Sequence, residues 1–512
     1  MISIDSARLV VVSNRLPVVL SPDGKGDWRL ERGSGGLVSA LEPVLRERGG
    51  VWIGWPGIER GRIPDMDQVL ARATAGHGYT VRGVQLSSRQ RDDFYLGFAN
   101  QVIWPLFHDF QTQCNFNPRF WETYVQVNRK FARVVDRETR PGDFLWVHDY
   151  HLMTMGRELR ERGCSQGMGF FLHIPFPPLD VFLNLPWRFE ILRGLLSYDL
   201  VGFQSHRDRL NFLSCLGNMY PQAGVEGEGR VVRIRTGDRV VRAGVFPVSI
   251  DFQEFAGAAA ADVVSERVAG LRSEFLGRTV ILGVDRLDYS KGIPHKLAGY
   301  RLALERYPEL RERVTLVQLV VPSREDIPEY DRMKEEIERL VGRIQGEFTR
   351  GGWVPIHYQY GRWDRNELVA HYRAAGVALV TPLKDGMNLV AKEFCAANLD
   401  GRGVLILSEL AGAGAQLQDH VLLVNPQDVE GVAAAIHRAV TMPPEERRRR
   451  MEALRKQIRK RDIFWWTETF LKAAADEELG SDNDVEVWRP VAPPGFFADT
   501  PPRAPALASR VR

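Results

Sequence analysis

The chain has 512 residues, 44% of them hydrophobic and 26% charged, a globular composition too long for one ordinary core, which predicts two or three domains. Its 68 Lys and Arg against 65 Asp and Glu leave a formal charge of +3, so electrostatics offers no reason to expect a nucleic-acid or membrane partner. No apolar run is long enough to span a bilayer, and Met1-Ile2-Ser3-Ile4-Asp5 lacks the sections of a signal peptide. A cytoplasmic protein is expected. The scattered Cys114, Cys164, Cys215 and Cys395 then read as reduced thiols rather than disulfides, and they form no close-spaced metal pair.

Strand-like runs alternate with helical stretches along the chain, the pattern of parallel sheets with crossover helices. The first strand is expected at Leu9–Ser13, with Arg15 just beyond its C-terminal end. Gly35-Gly36 precedes a helical stretch from Leu37 and permits close backbone approach to a phosphate, although glycine pairs also simply make turns. Strands at Phe144–His148 and Gly169–His173 end at Asp149 and His173. A carboxylate there can hold sugar hydroxyls. The histidine can donate from its ring or accept at its carbonyl, whereas His148 and His151 read as structural. A strand at Leu200–Phe203 and a Gly- and charge-rich hairpin from Gly224 to Arg242 follow. The first domain is therefore drawn as 1–245, up to Val245-Phe246-Pro247-Val248.

The second domain, 246–478, has expected strands at Val280–Val284, Thr315–Val321, Val377–Thr381 and Val404–Ser408. Arg286 and Lys291 follow the first of these, five residues apart across a turn marked by Gly292, and can reach one diphosphate together. Ser323-Arg324 follows the second. Arg15 and Arg324, from opposite domains, can close on one phosphate and couple its binding to domain closure. After the third strand comes Leu383-Lys384-Asp385-Gly386-Met387-Asn388-Leu389-Val390-Ala391-Lys392-Glu393, a strand-to-helix junction of the kind where open α/β sheets bind ligands. The free N–H groups of its helix favour an anion, Gly386 allows close backbone approach, and Glu393 can accept from ribose hydroxyls. The charged, then aromatic stretch Glu445–Leu471, with Phe464-Trp465-Trp466, is expected to pack back across the junction. Residues 479–512, rich in Pro from Pro490 to Pro505, read as a flexible, non-catalytic tail.

The donor-loop run resembles that of the trehalose-6-phosphate synthases, a retaining glycosyltransferase family of two Rossmann-like domains. Val12-Ser13-Asn14-Arg15, Gly35-Gly36-Leu37, Val102-Ile103-Trp104-Pro105, Trp146-Val147-His148-Asp149-Tyr150-His151, Phe171-Leu172-His173-Ile174-Pro175-Phe176-Pro177 and Asp285-Arg286-Leu287-Asp288-Tyr289-Ser290-Lys291-Gly292 match in the same order. The similarity runs from about Leu9 to Leu471. It implies an α/β fold, two Rossmann-like domains facing each other across a deep interdomain cleft. It also implies transfer of glucose from UDP-glucose to glucose 6-phosphate with retention, giving trehalose 6-phosphate, with no cofactor and no metal.

By the same resemblance, donor-binding positions are Gly35, Gly36, His173, Arg286, Lys291, Trp363 and the run Asp385, Gly386, Met387, Asn388, Leu389, Val390, Ala391, Lys392 and Glu393. Acceptor positions are Arg15, Tyr95, Trp104, Asp149 and Arg324, and the catalytic set is His173, Arg286, Lys291, Asp149 and Asp385. Trp363 has a core-anchor alternative, and Trp104 can instead shape the pocket wall. Uridine recognition in the family is largely by backbone, so ADP- or GDP-glucose stays open as donor. The segment His108-Asp109-Phe110-Gln111-Thr112-Gln113-Cys114-Asn115-Phe116 departs from the family patterns, which leaves glycerol 3-phosphate as another acceptor. Joining of cyclitols and a non-catalytic sugar-phosphate sensor are the further alternatives. The resemblance assigns phosphate removal from the product to a separate trehalose-6-phosphate phosphatase. Whether the chain forms a homo-oligomer is open.

Overall fold

The computed structural model describes residues 7–22, 28–32, 36–58, 65–76, 78–237, 239–324 and 328–490. Strands of the first half are β1 (Leu9–Arg15), β2 (Val18–Pro22), β3 (Trp28–Arg32), β4 (Val51–Trp55), β5 (Thr80–Gly83), β6 (Phe144–His148), β7 (Gly167–Phe171), β8 (Leu200–Phe203), β9 (Gly224–Glu226), β10 (Val231–Thr236) and β11 (Arg239–Val245). The second half contributes β12 (Thr279–Arg286), β13 (Val314–Val321), β14 (Ile356–Tyr360), β15 (Val377–Val380), β16 (Val404–Ser408) and β17 (Leu422–Val424).

The first sheet runs β5-β4-β1-β6-β7-β8-β11-β10-β9. It is parallel from β5 through β11 and ends in the antiparallel β10 and β9. The second runs β14-β13-β12-β15-β16-β17 and is parallel throughout, while β2 and β3 form a separate hairpin. Strands such as β1 and β15 are unbroken apolar runs because helices cover both faces of a parallel sheet. Each sheet reverses its strand order once near the middle, at β1/β6 and at β12/β15. Those reversals open the crevices in which doubly wound sheets place their ligands.

The strand limits differ from the sequence reading in two useful ways. β1 continues to Arg15, and β7 stops at Phe171, two residues short of His173. His173 thus stands in the exit loop, where its N–H donates to Asp149 Oδ1 at 3.2 Å.

The helix Ile463–Ala474 lies on the first sheet although it is the last α-helix among the described residues. Trp466 is fully buried, stacks on Trp146 with ring centres 4.8 Å apart and donates its indole N–H to Phe246 O at 3.2 Å. Phe470 stacks on the same Trp146 at 4.5 Å.

Residues 479–490 are a correction to the flexible-tail reading. Arg230 donates to the carbonyls of Asp482 and Asp484, and its own N–H reaches Asn483 Oδ1. Glu486 pairs with Arg461, and Val487 O accepts from Gln418 of the second half. A fully buried guanidinium needs acceptors, and here the backbone of this segment supplies them. Residues 491–512 lie outside the described residues. All four cysteines are free thiols, and among the described residues no helix is long and apolar enough to cross a membrane.

Trp466→Ala removes the Trp146 stack and the Phe246 hydrogen bond that hold this helix on the first sheet and should cost about 3–5 kcal/mol. Phe464→Ala, on the exposed side of the same helix, should cost less than about 1 kcal/mol. Thermal and urea midpoints of the two variants check the ranking.

Candidate active site

A cavity of about 490 Å³ is lined by both halves. From the first come Asn14 and Arg15 at the end of β1, Tyr95, Trp104, His108, the Asp149–His151 loop after β6, and His173 after β7. From the second come Arg286 at the end of β12, Lys291, Ser323-Arg324 after β13, and Asp385 to Val390 with Glu393 after β15. The two strand-order reversals therefore face one another across a single space.

A buried carboxylate organises the cations. Asp288 is fully buried and accepts from Arg324 at 2.9 Å, from the Trp104 indole N–H at 3.3 Å, and from the Ser290 hydroxyl at 2.8 Å. Arg286 lies 3.9 Å from the oxygen that Arg324 meets. Burial alone would raise this carboxyl, but Arg324, Arg286 and Lys291 outweigh it and hold it down at about 2. The guanidiniums of Arg324 and Arg286 sit over the Trp104 ring, 4.0 and 5.4 Å from its centre. Arg15 lies over Trp55 at 4.6 Å, in space left by Gly57, where any Cβ would run into its guanidinium.

Lys291 pairs with Asp385 at 2.6 Å. Desolvation would raise the Asp385 carboxyl, but Lys291 and the Asn388 amide lower it below the usual range. Asn388, at φ +78°, caps the helix Leu389–Ala397 by accepting from Ala391 N–H at 3.2 Å. That helix presents its N-terminal Leu389 and Val390 to the cavity. Glu393 accepts from the Tyr372 hydroxyl at 2.8 Å, and burial raises its pKa.

Four histidines surround this charge without adding to it. Desolvation lowers His108 to about 4 and His151 and His173 to about 3, while His148 falls well below 6.5. All are neutral near pH 7, and the His148 Nδ1–His173 Nε2 contact of 3.1 Å is one neutral ring donating to the other. Desolvation also raises Asp149 to about 7, against the Tyr150 and His173 N–H groups and Arg286. Among the side chains lining the cavity, formal positive charge comes from arginine and lysine.

Several sequence expectations need correction. Lys392 points away from the cavity: it is buried, donates to Val248 O at 2.7 Å, and is brought down to about 7 by desolvation. It ties the helix to the exit of the first half. Ala391, one residue earlier, is packed in the core. Trp363 is absent from the cavity lining; it stacks on His371 at 3.9 Å and donates to Gln359. Gly35 lies outside the described residues, and Gly36 opens the helix Gly36–Arg48.

Gly386 also lines the cavity, and the structure gives a further reason for glycine there. A Cβ there would collide with the carbonyl of His173, so the close approach is between backbones of the two halves. His108, Asn14, Tyr150, His151 and Gln204 line the cavity but were not predicted there. Asp288 shaped it unseen. Their only signal was adjacency to motif residues, which does not reveal side-chain direction. Among the described residues, no group of three or more His, Cys, Asp or Glu is placed to hold a metal ion.

Residues 7–476 match the model of Glycosyltransferase family 20. The chain belongs to this family. A trehalose-6-phosphate synthase of Mycolicibacterium gilvum is 44% identical over 481 residues, covering 92% of this chain and 94% of that protein. Among solved structures, a UDP-forming α,α-trehalose-phosphate synthase from Burkholderia xenovorans in complex with glucose 6-phosphate superposes with TM-score 0.83 at 34% identity, covering 92% of this chain and all of that one. A trehalose-6-phosphate structure from E. coli bound with UDP-2-fluoro glucose gives 0.81 at 36% identity, covering 91% and 99%. The α/β architecture of this chain, two parallel-sheet domains, is that of these glycosyltransferases.

Gly386→Ala places a methyl group against the His173 carbonyl and should lower transfer activity at least about tenfold, since reacting groups tolerate little displacement. Gly346→Ala, in the helix Pro328–Phe348 with nothing within 4 Å of the added methyl, should leave activity unchanged. Steady-state rates of the two variants decide the point.

Proposed function

We propose that this chain transfers glucose from UDP-glucose to glucose 6-phosphate with retention, forming α,α-trehalose 6-phosphate and UDP without a metal. The carrying observation is one cavity with cations from opposite halves: Arg286 and Lys291 at the reversal of the second sheet, Arg15 and Arg324 at its two sides. The family relatives named for this product, one with glucose 6-phosphate and one with a UDP-glucose analogue, support both substrates.

Departure of UDP leaves negative charge on a phosphate oxygen. Arg286 as a fork, Lys291 as a point charge and the N–H groups opening the helix Leu389–Ala397 are arranged to meet that charge. The Asp385 loop and the His173 carbonyl contact the donor sugar, and Glu393 accepts from the ribose. Arg15 and Arg324 hold the acceptor phosphate, while Tyr95, Trp104 and Asp149 shape the space for its sugar. Gly35 and Gly36 keep their family-implied donor roles only as part of this reading.

A double displacement would need a free carboxylate on the β face of the sugar. Asp385 is committed to Lys291 and Asn388, and Asp149 accepts from the His173 N–H. Front-face transfer fits better: the acceptor hydroxyl attacks from the side the diphosphate leaves, and a leaving phosphate oxygen takes its proton. Positioning and charge stabilisation then supply the catalysis.

The test is a screen of UDP-, ADP- and GDP-glucose against glucose 6-phosphate and glycerol 3-phosphate, read by mass spectrometry and anomeric NMR. UDP-glucose with glucose 6-phosphate should give the α,α-linked product, unaffected by exhaustive chelation, from protein carrying no glycosyl adduct. A β-linked product, a chelator-sensitive rate or an adduct on Asp149 or Asp385 would each overturn the corresponding part.

Arg15 gives the cleaner test of the phosphate site, because Arg324 also neutralises Asp288. A charge-assisted contact is worth about 1.5–3 kcal/mol, so Arg15→Ala should raise the acceptor KM about tenfold or more and leave donor KM nearly unchanged. Loss of donor binding would show the assignment to be wrong.

A further inference from the structure

We propose that Asp109 and Lys384 form an interdomain latch that holds the donor loop against the acceptor wall, making them positioning residues for the transfer. This rests on the function proposed above. Lys384 Nζ lies 2.6 Å from Asp109 Oδ2, and the two residues belong to opposite halves. The Lys384 side chain is 12% exposed and that of Asp109 39%, so the pair stands at the cavity rim, partly shielded from water.

Each partner is one residue from a group that lines the cavity. Asp109 follows His108, whose ring lies against Trp104 at 4.2 Å and whose Nδ1 meets Trp104 O at 2.7 Å. Lys384 precedes Asp385, the partner of Lys291. A shift at either end of the latch is therefore delivered to Trp104 or to the Lys291–Asp385 pair with little slack between.

Three further observations show that the contact is built. Asp109 adopts φ +67°, a left-handed conformation that residues with side chains seldom take, and its carboxylate in that conformation meets the ammonium. Its neighbour Phe110 packs edge-on against Tyr289 of the second half, ring centres 4.8 Å apart, two residues before Lys291. On the first half, the buried Asp208 also lies near enough to Lys384 to be stabilised by its charge. The segment His108-Asp109-Phe110 is thus the part of the first half that bridges to, or stands beside, Trp104, Lys384 and Tyr289.

On the proposed reading most donor-binding groups, Arg286, Lys291 and the Asp385–Glu393 run, belong to the second half, but transfer needs both halves together. Opening of the latch should therefore reduce turnover and spare donor binding. The test uses Asp109→Lys, Lys384→Asp and the double exchange in the full chain. Two quantities are read: kcat and donor KM with UDP-glucose and glucose 6-phosphate, and hydrogen exchange of Leu383–Leu389 in substrate-free protein.

Coupled neighbours of this kind lead us to expect each single reversal to lower kcat about fivefold or more, with donor KM within about twofold, and to speed exchange of the loop. The double exchange restores the opposite-charge pair and should return kcat to within about threefold of wild type. A merely structural role would not produce that rescue. A double exchange no better than the worse single variant, or single reversals with wild-type kcat and exchange, would overturn the latch. Should a reversal fail to fold, Asp109→Asn is the milder variant: faster loop exchange supports the latch, and unchanged exchange refutes it. Absence of product from wild-type protein would count against the proposed substrates, while the exchange measurements would still judge the latch.

Discussion

A cavity that gathers Arg15, Arg286, Lys291 and Arg324 has to hold like charges close together before any anion arrives, and buried Asp288 makes that possible. One oxygen takes Arg324 and lies near Arg286, and the other takes the Trp104 indole and the Ser290 hydroxyl. A carboxylate surrounded by those donors stays ionised at every ordinary pH, so the cations are oriented in advance. Lys291 has its own counter-ion in Asp385. Removing either carboxylate would leave buried charge uncompensated, which is far more costly than losing a surface pair.

The second constraint is backbone proximity. The Gly386 loop rests against the His173 carbonyl, and it is backed by Gly412, whose N–H donates to Asp385 O at 3.0 Å while Ala413 N–H donates to Met387 O. Neither glycine has room for a Cβ on that side. The loop is thereby clamped between the exit of β7 and the turn after β16, with its helix N-terminus facing the cavity. Asn388 in a positive-φ conformation starts that helix, which explains an amide at that point rather than a bulkier residue.

Charge is divided cleanly between residue types. The buried histidines are neutral because desolvation penalises imidazolium, which leaves them to donate and accept hydrogen bonds beside the cationic side chains. Asp149, raised to about 7 by desolvation, sits at the border between ionised and neutral. It can accept a hydrogen bond in one state and donate one in the other, whereas Asp385 is committed to accepting.

Local sequence was enough to place strands β1, β6, β7, β8, β12, β13, β15 and β16, because buried parallel strands are continuous apolar runs, though not β4, β5, β14 or β17. It was also enough to point at Arg15, Arg286, Lys291, Arg324 and Asp385, because each ends or closely follows such a run. Chain order and short-range chemistry determined those. Direction was decided elsewhere. Lys392 and Glu393 are adjacent, yet one is tied to Val248 and the other lines the cavity, since a helix turns successive side chains by about 100° and only its packing shows which face is which. Trp363 went to His371, Arg230 found its partners in residues 482–484, and Asp109 met Lys384 across 275 positions of chain. Contacts between segments far apart in sequence depend on how two independently built sheets are set against each other, and no local pattern carries that information.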